Sequence, residues 1–251
     1  MDFLVRFSLD TRLLKSKKYF TKKDFVLGLS NALSIEDCES LYNSFKEGDF
    51  AKNVAANFLL TKNPTARTIT DGLIKYLALK KYNNILNNII FRELLVGNYR
   101  TDVNLINGVS YTYEVKTARD KIEKAVSQTN QFKKVFEQVY LVTYDQAVVP
   151  ENIDENIGIM VIRHDDGQIV FDEMRKAIKN TLLSKELQLS VLRKDELASF
   201  YGKDGKLKSR EELIKGLLET ETEQSINNNF KGLLKERFKP QWYQDIQKVL
   251  G

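Results

Sequence analysis

The chain has 251 residues, 39 Lys and Arg against 34 Asp and Glu, a net charge of +5, 42% hydrophobic residues, 12 Gly and 3 Pro. That is the composition of a folded globular protein, and it excludes collagenous, mucin-like and disordered chains. One cysteine, Cys38, and one histidine, His164, exclude an internal disulfide, a Cys/His zinc site and a His-pair metal site. Catalysis must therefore rest on carboxylates, Lys, Arg, Tyr or a hard metal ion held by oxygens.

No apolar run approaches the roughly 18 residues that span a bilayer. The charged start, with Asp2, Arg6 and Asp10 around Phe3, Leu4 and Val5, is unlike a signal peptide, so a cytoplasmic protein without membrane contact is expected. Residues 1 to 23 carry Arg6, Arg12, Lys15, Lys17, Lys18, Lys22 and Lys23 against Asp2 and Asp10. Such a stretch can follow a phosphate backbone, with Phe7, Tyr19 and Phe20 to stack on bases, although a solvated amphipathic face has the same look.

In chain order, the first 69 residues read as a helical layer: Ser34 caps a helix on which Cys38, Leu41 and Phe45 recur at core spacing, and Pro64 marks the end of the layer. A stronger helix is expected from about Thr70 to Tyr82. The period then changes to that of strands, at Ile89 to Val96, Tyr99 to Ile106 and Val109 to Val115, with a hairpin signal at Asn107-Gly108. A helix from Asp120 to Gln138 and short strands at Val139 to Thr143 and Ile157 to Ile162 complete a core over residues 70–165. His164, in the polar run 163–167, reads as a solvated loop residue. Residues 166–251 read as helical, around 172–184, 194–201, 208–219 and 222–237, with Ser209 and Glu212 as a capping box; three helices with a Gly-rich joint could form a helix-turn-helix-like module, but the commoner small bundle is expected.

The hairpin carries the chemistry. Val103 and Leu105 point to one face and Asp102 and Asn104 to the other; on the second strand Tyr111, Tyr113 and Val115 alternate with Ser110, Thr112, Glu114 and Lys116. A two-residue turn at Asn107-Gly108 mixes these faces. A three-residue loop, Ile106-Asn107-Gly108, pairs Leu105 with Val109 and Asp102 with Thr112, and places Asp102, Glu114 and Lys116 together. Two converging carboxylates call for a cation, and Mg²⁺, with Mn²⁺ as a substitute, suits one or two of them and retains waters. Lys116, on the same face, would orient or deprotonate an attacking water and neutralise charge on a phosphate.

Asp102, eleven residues, then Glu114-Val115-Lys116 resembles the PD-(D/E)XK nuclease superfamily, with Thr101 in place of the proline. Gln128 followed by Phe132 resembles the helix motif of branches related to RecB-type exonucleases, with Phe in place of Tyr. Glu93, Arg100-Thr101-Asp102, Glu114-Val115-Lys116, Gln128 and Val139 to Val142 together resemble an uncharacterised bacterial and phage branch of the superfamily. The resemblance implies an α/β fold with a restriction-endonuclease-like core, a mixed central sheet flanked by helices, with helical additions at both ends. It also implies a Mg²⁺-dependent DNA endo- or exonuclease in which Asp102, Glu114 and the Val115 carbonyl ligate the ion, Lys116 positions the nucleophile and Gln128 assists. Glu93 is expected as a further metal carboxylate, against a surface salt bridge with Arg92 or Arg100, and Arg100 and Lys121 as contacts to substrate phosphates. DNA is the expected partner, with RNA, a protein partner or a second copy left open. The alternative is a catalytically silent nucleic-acid-binding or regulatory protein on the same fold.

Overall fold

The computed structural model describes residues 66–81, 87–117, 120–144, 149–165, 168–202 and 205–250. The basic amino-terminal segment, the Ser34-capped helix with Cys38, and Pro64 lie outside them. The chain divides into two units, Met1–Ile69 with His164–Ile169 and Thr70–Arg163 with Val170–Gly251; the second carries the site. Among the described residues no helix is long and apolar enough to cross a membrane.

Helix α1 (Ala66–Tyr76) begins four residues before the expected start and ends in a π turn, Leu77–Lys81. Leu73 and Leu77, one turn apart, are fully buried. A six-stranded sheet follows, in spatial order β1-β4-β5-β6-β7-β8. Its members are β1 (Ile89–Arg92), β4 (Val103–Ile106), β5 (Ser110–Val115), β6 (Gln138–Thr143), β7 (Gly158–Asp165) and β8 (Gln168–Arg175). β1, β4 and β5 are antiparallel neighbours; β5, β6 and β7 run parallel. Helix α2 (Glu123–Lys133), shorter than expected, makes the crossover from β5 to β6 that parallel neighbours require.

The long apolar runs 89–96 and 99–106 are each interrupted. A separate two-stranded hairpin, β2 (Leu95–Val96) with β3 (Tyr99–Arg100), stands between β1 and β4. The break falls at Glu93, the one non-glycine residue with positive φ, +48°, among the described residues.

Side-chain parity shows what covers each face of the sheet. Phe91 stacks on Phe238 of the long carboxyl-terminal helix, with ring centroids 3.9 Å apart. Its neighbour Arg92, pointing the other way, bonds Thr70 and Asp71 of α1. α1 and the carboxyl-terminal helix therefore lie on opposite faces. Tyr111, Tyr113 and Tyr140 stack along the α1 side, with centroids 6.5 Å and 5.1 Å apart. Leu105 and Ile106, fully buried on opposite faces, each contribute about 1.5–3 kcal/mol.

Beyond residue 167 the expected helix at 172–184 is instead strand β8 and an irregular stretch. The strand expected at Ile157 to Ile162 runs instead from Gly158 to Asp165, so His164 lies in β7 rather than in a loop. A short helix follows, α3 (Lys185–Val191), capped by Ser184, whose Oγ accepts from Leu187 N. α4 (Lys194–Tyr201) and α5 (Arg210–Thr220) come next, the latter with the expected Ser209–Glu212 capping box. The tight joint depends on Gly205, where a Cβ would lie 2.4 Å from the Ala198 carbonyl oxygen. α5 exposes Glu211, Glu212, Lys215 and Glu219, an acidic face ill-suited to a DNA groove. α6 (Glu223–Leu250) is longer than expected and passes through Pro240. Its Trp242 is buried, and Arg237 forms an almost buried ion pair with Glu196.

One carboxylate ties this helical region to the sheet. Glu137 is 3% exposed; its Oε2 accepts from Ser110 N at 2.8 Å, and Lys231 and Lys179 lie 3.2 Å and 3.1 Å from its two oxygens. Burial alone would raise this carboxyl, but the Ser110 hydrogen bond and the two ammonium groups outweigh it and hold the group below its ordinary value. Its stabilising contribution is therefore present above pH 4.5 and is lost as pH falls through the depressed value. Glu137→Ala is expected to cost about 1–3 kcal/mol in urea unfolding at pH 7, because it leaves the buried Ser110 N–H without its acceptor. Lys179→Ala, at an exposed partner, should cost under about 1 kcal/mol.

Candidate active site

β4 and β5 meet in the register Val103↔Tyr113, Asn104↔Thr112, Leu105↔Tyr111 and Ile106↔Ser110. The loop is three residues long, as the alternation demands, but it is Asn107-Gly108-Val109 rather than Ile106-Asn107-Gly108. Ile106 is too deeply buried to leave the strand; Gly108, φ +103°, takes the bend, and Asn107 N donates to Val109 O at 3.1 Å. The correction moves the pairing by two positions, an even number, so every side chain keeps its face. It also sets Asp102 across from Glu114 instead of Thr112.

The polar face of β5 is not solvated. All six of its residues are buried, and their polar groups form a seam beneath α2 running from Ser110 with Glu137 to Glu114 and Lys116. Glu114 is 2% exposed and Lys116 8%. Lys116 Nζ donates to Glu114 Oε1 at 2.7 Å and to Gln128 Oε1 of α2 at 2.6 Å. Asp102 Oδ2 accepts from Val115 N at 2.7 Å. In an extended strand the N–H and C=O of one residue leave by the same edge, so the Val115 carbonyl faces the side on which Asp102 lies. Glu114 Oε2 is buried with no hydrogen-bond partner.

The electrostatics follow from this geometry. Burial, then the nearby Asp102 charge, pushes the Glu114 carboxyl from 4.5 up to about 7, against the pull of Lys116 and Gln128. Asp102 is also raised, chiefly by burial; the Val115 N–H and Lys116 lower it, and Asp120 adds to the rise. A carboxyl raised in the folded state favours folding fully below its unfolded value. That contribution is lost as pH climbs from about 4.5 through about 7. The metal-free protein is thus expected to lose roughly 3 kcal/mol of stability from Glu114 between pH 4.5 and 8. Denaturant midpoints across that range, compared with those of Glu114→Gln, read this directly.

The remaining expected residues lie around this group. Glu93 does not turn to Asp102 and Glu114 but pairs with Arg100 at 3.0 Å, both side chains 62% exposed. Among the described residues no three His, Cys, Asp or Glu side chains converge to cage an ion. Only the Glu93 main chain meets the site, its N–H donating to the Asp102 carbonyl at 3.2 Å. Lys121 lies on the exposed turn into α2. Asp120 is a group the sequence reading leaves out, its Oδ2 accepting from Thr117 N and Oγ1 at 2.7 Å each, whereas Thr101, in the place of the motif proline, proves to be fully buried. Asp120 has a local signal, a polar turn of Thr and Asp three residues apart; for Thr101 the sequence marks the position but not its burial. The β2–β3 hairpin rests on α2: Tyr99 meets Phe132 edge-on at 6.5 Å, and a Cβ on Gly97 would lie 2.7 Å from Gln131 Nε2.

The candidate site is thus a half-buried Asp102, a buried Glu114 and Lys116 at one strand end of a mixed sheet, with Gln128 reaching them from α2. The chain belongs to the bacteriophage P4 protein cII family, whose model matches residues 64–248. It is similar to protein cII of Enterobacteria phage P4, 25% identical over 120 residues that make up 46% of each protein; the match thus spans about half the length of that relative. The SPO1766 protein of unknown function from Silicibacter pomeroyi is a solved structure matched over 46% of this chain and 75% of its own, with 14% identity and a TM-score of 0.33.

Proposed function

We propose that the protein is a metal-dependent nuclease that hydrolyses DNA phosphodiester bonds in the cytoplasm, using Mg²⁺, for which Mn²⁺ can substitute. The observation that carries this reading is the half-buried Asp102 beside the buried Glu114, with one Glu114 oxygen left without a partner beside a lysine held by Gln128. Two adjoining carboxyls, one buried and one half-buried, both raised by loss of water, are a standing cost to the fold, and such a cost belongs to a site that binds something positive. The order helix, three antiparallel strands, helix, parallel strand also supports a restriction-endonuclease-like core, as does the resemblance of Asp102, Glu114 and Lys116 to the PD-(D/E)XK pattern.

The oxygen donors fit a small hard cation: Asp102 and Glu114 supply two carboxylates and Val115 a carbonyl, a set that leaves room for water. When bound, such an ion supplies Lewis acidity for attack on phosphorus. Lys116, whose ammonium already reaches Glu114 and Gln128, orients the attacking water and stabilises charge on the phosphate. Gln128 fixes Lys116. The Glu93–Arg100 pair sits at the exposed rim, where Arg100 meets a phosphate.

The test is an incubation of end-labelled single-stranded, double-stranded and circular DNA, and of RNA, with Mg²⁺ or Mn²⁺. Metal-dependent cutting by the wild type and none by Asp102→Ala or Lys116→Ala is the expected result, and the substrates cut separate endo- from exonuclease. Binding of DNA without cutting, indifferent to metal, would favour a silent binding protein instead.

A further inference from the structure

We propose that Thr101 is the positioning residue of this site: its hydroxyl, clasped by Asn104, holds the strand break that turns the Asp102 carboxylate toward Glu114. The inference rests on the nuclease reading only for its catalytic consequence, since the seating is a property of the metal-free fold.

The break between β1 and β4 inserts no residue, because the pairing has the same register on either side of it, Arg92↔Val103 and Leu95↔Arg100. What changes is the direction of the main-chain groups. Glu93 adopts φ +48°, and the peptide groups of Leu94 turn toward Thr101. Thr101 N donates to Leu94 O at 3.0 Å, and Leu94 N donates to Thr101 Oγ1 at 2.9 Å. Asn104 Nδ2 donates to the same hydroxyl oxygen at 2.8 Å, and neither Thr101 nor Asn104 is exposed at all.

The opposite edge answers this. In the β4–β5 register the main-chain partner of Val115 N–H would be the Thr101 carbonyl. That N–H donates instead to Asp102 Oδ2 at 2.7 Å. Side chains thus replace main chain on both sides of residues 101 and 102: the Thr101 hydroxyl toward Leu94 and the Asp102 carboxylate toward Val115. Without the hydroxyl, Leu94 N–H is a buried donor with no acceptor. The cheapest repair is a regular ladder, in which Glu93 leaves its strained conformation and the Thr101 carbonyl takes back Val115 N–H. Asp102 then loses the bond that aims it. Serine keeps the hydroxyl; valine keeps only the shape.

The test is ¹H–¹⁵N NMR of the full-length, metal-free protein at pH 8, reading the Val115 amide proton, with Asp102→Ala defining the complete loss of the carboxylate bond. Thr101→Val is expected to move the Val115 shift at least half of the way to the Asp102→Ala value and to weaken Mn²⁺ binding at least tenfold, while Thr101→Ser keeps both near wild type. A merely structural role would lower the melting temperature of Thr101→Val and leave Val115 unmoved; that result overturns the proposal. Should Thr101→Val fail to fold, Asn104→Ala decides by the same readout, a shift of Val115 supporting the seating and its constancy refuting it. A wild type that binds no Mn²⁺ would defeat the nuclease reading alone, since the Val115 shift still decides the role of Thr101.

Discussion

Replacing Lys116 with methionine is expected to reduce metal-dependent DNA hydrolysis by about 10²- to 10⁴-fold, the range for a group that orients a nucleophile and meets developing charge. Methionine matches the aliphatic length, so the hole beneath α2 stays filled. What disappears is the ammonium 2.7 Å from Glu114 Oε1 and 2.6 Å from Gln128 Oε1. Glu114, already raised to about 7, then loses the cation that lowers it and takes up a proton more readily. The fold therefore survives the substitution, because a neutral buried carboxyl replaces an unpaired charged one. DNA binding and the far-ultraviolet circular dichroism spectrum should be unchanged while single-turnover cleavage collapses. Cleavage within threefold of wild type would remove Lys116 from the chemistry.

Asp102→Asn should produce two opposite effects. The amide oxygen still accepts from Val115 N–H, so the local geometry is kept, but one of two converging negative charges is gone. Changes to groups that merely orient a ligand commonly cost 10- to 100-fold in metal affinity, so loss of a ligand charge should cost at least that, with cleavage abolished. The metal-free variant should nevertheless be more stable than wild type at pH 8, by about 1 kcal/mol or more, because Glu114 no longer ionises beside a second carboxylate. Reduced function with raised stability marks a residue kept for what it binds. A variant less stable than wild type at pH 8, with metal affinity intact, would make Asp102 a structural cap on Val115 instead.

Much of this arrangement can be read from the residues in order, for identifiable reasons. Alternation has a period of two, so Val103 and Leu105 against Tyr111 and Tyr113 settle which side chains share a face. Asp102, Glu114 and Lys116 do lie together, and Gln128, which with Phe132 resembles the helix motif of related nucleases, reaches Lys116. Alternation cannot count loop residues, however. Ile106 served equally well as strand or loop until its burial and the bend at Gly108 were known, hence a register two positions out. Strand β8 is hidden in the sequence because Asp172, Glu173 and Met174 on an edge strand lack the continuous apolar run of a central one, and helical spacing fits them as well.

Other features depend on partners far along the chain. Glu137 is buried because Lys179 and Lys231 reach it from 42 and 94 residues away, and no local pattern announces that. Glu93 shows the reverse. It neighbours Asp102 in the main chain, as its strand position suggested, but its left-handed conformation carries the side chain out to Arg100. Only backbone geometry distinguishes these outcomes. Thr101, marked in sequence only as the residue in the place of the motif proline, becomes informative once its burial and its two donors are known.

The most direct measurement is a Mn²⁺ titration followed by electron paramagnetic resonance at pH 8, on wild type, Asp102→Asn and Glu114→Gln. A saturable site on the wild type, weakened at least tenfold in both variants and displaced by excess Mg²⁺, is the predicted result. Equal Mn²⁺ binding by all three proteins, or none by the wild type, would contradict the assignment of Asp102 and Glu114 as a metal-holding pair.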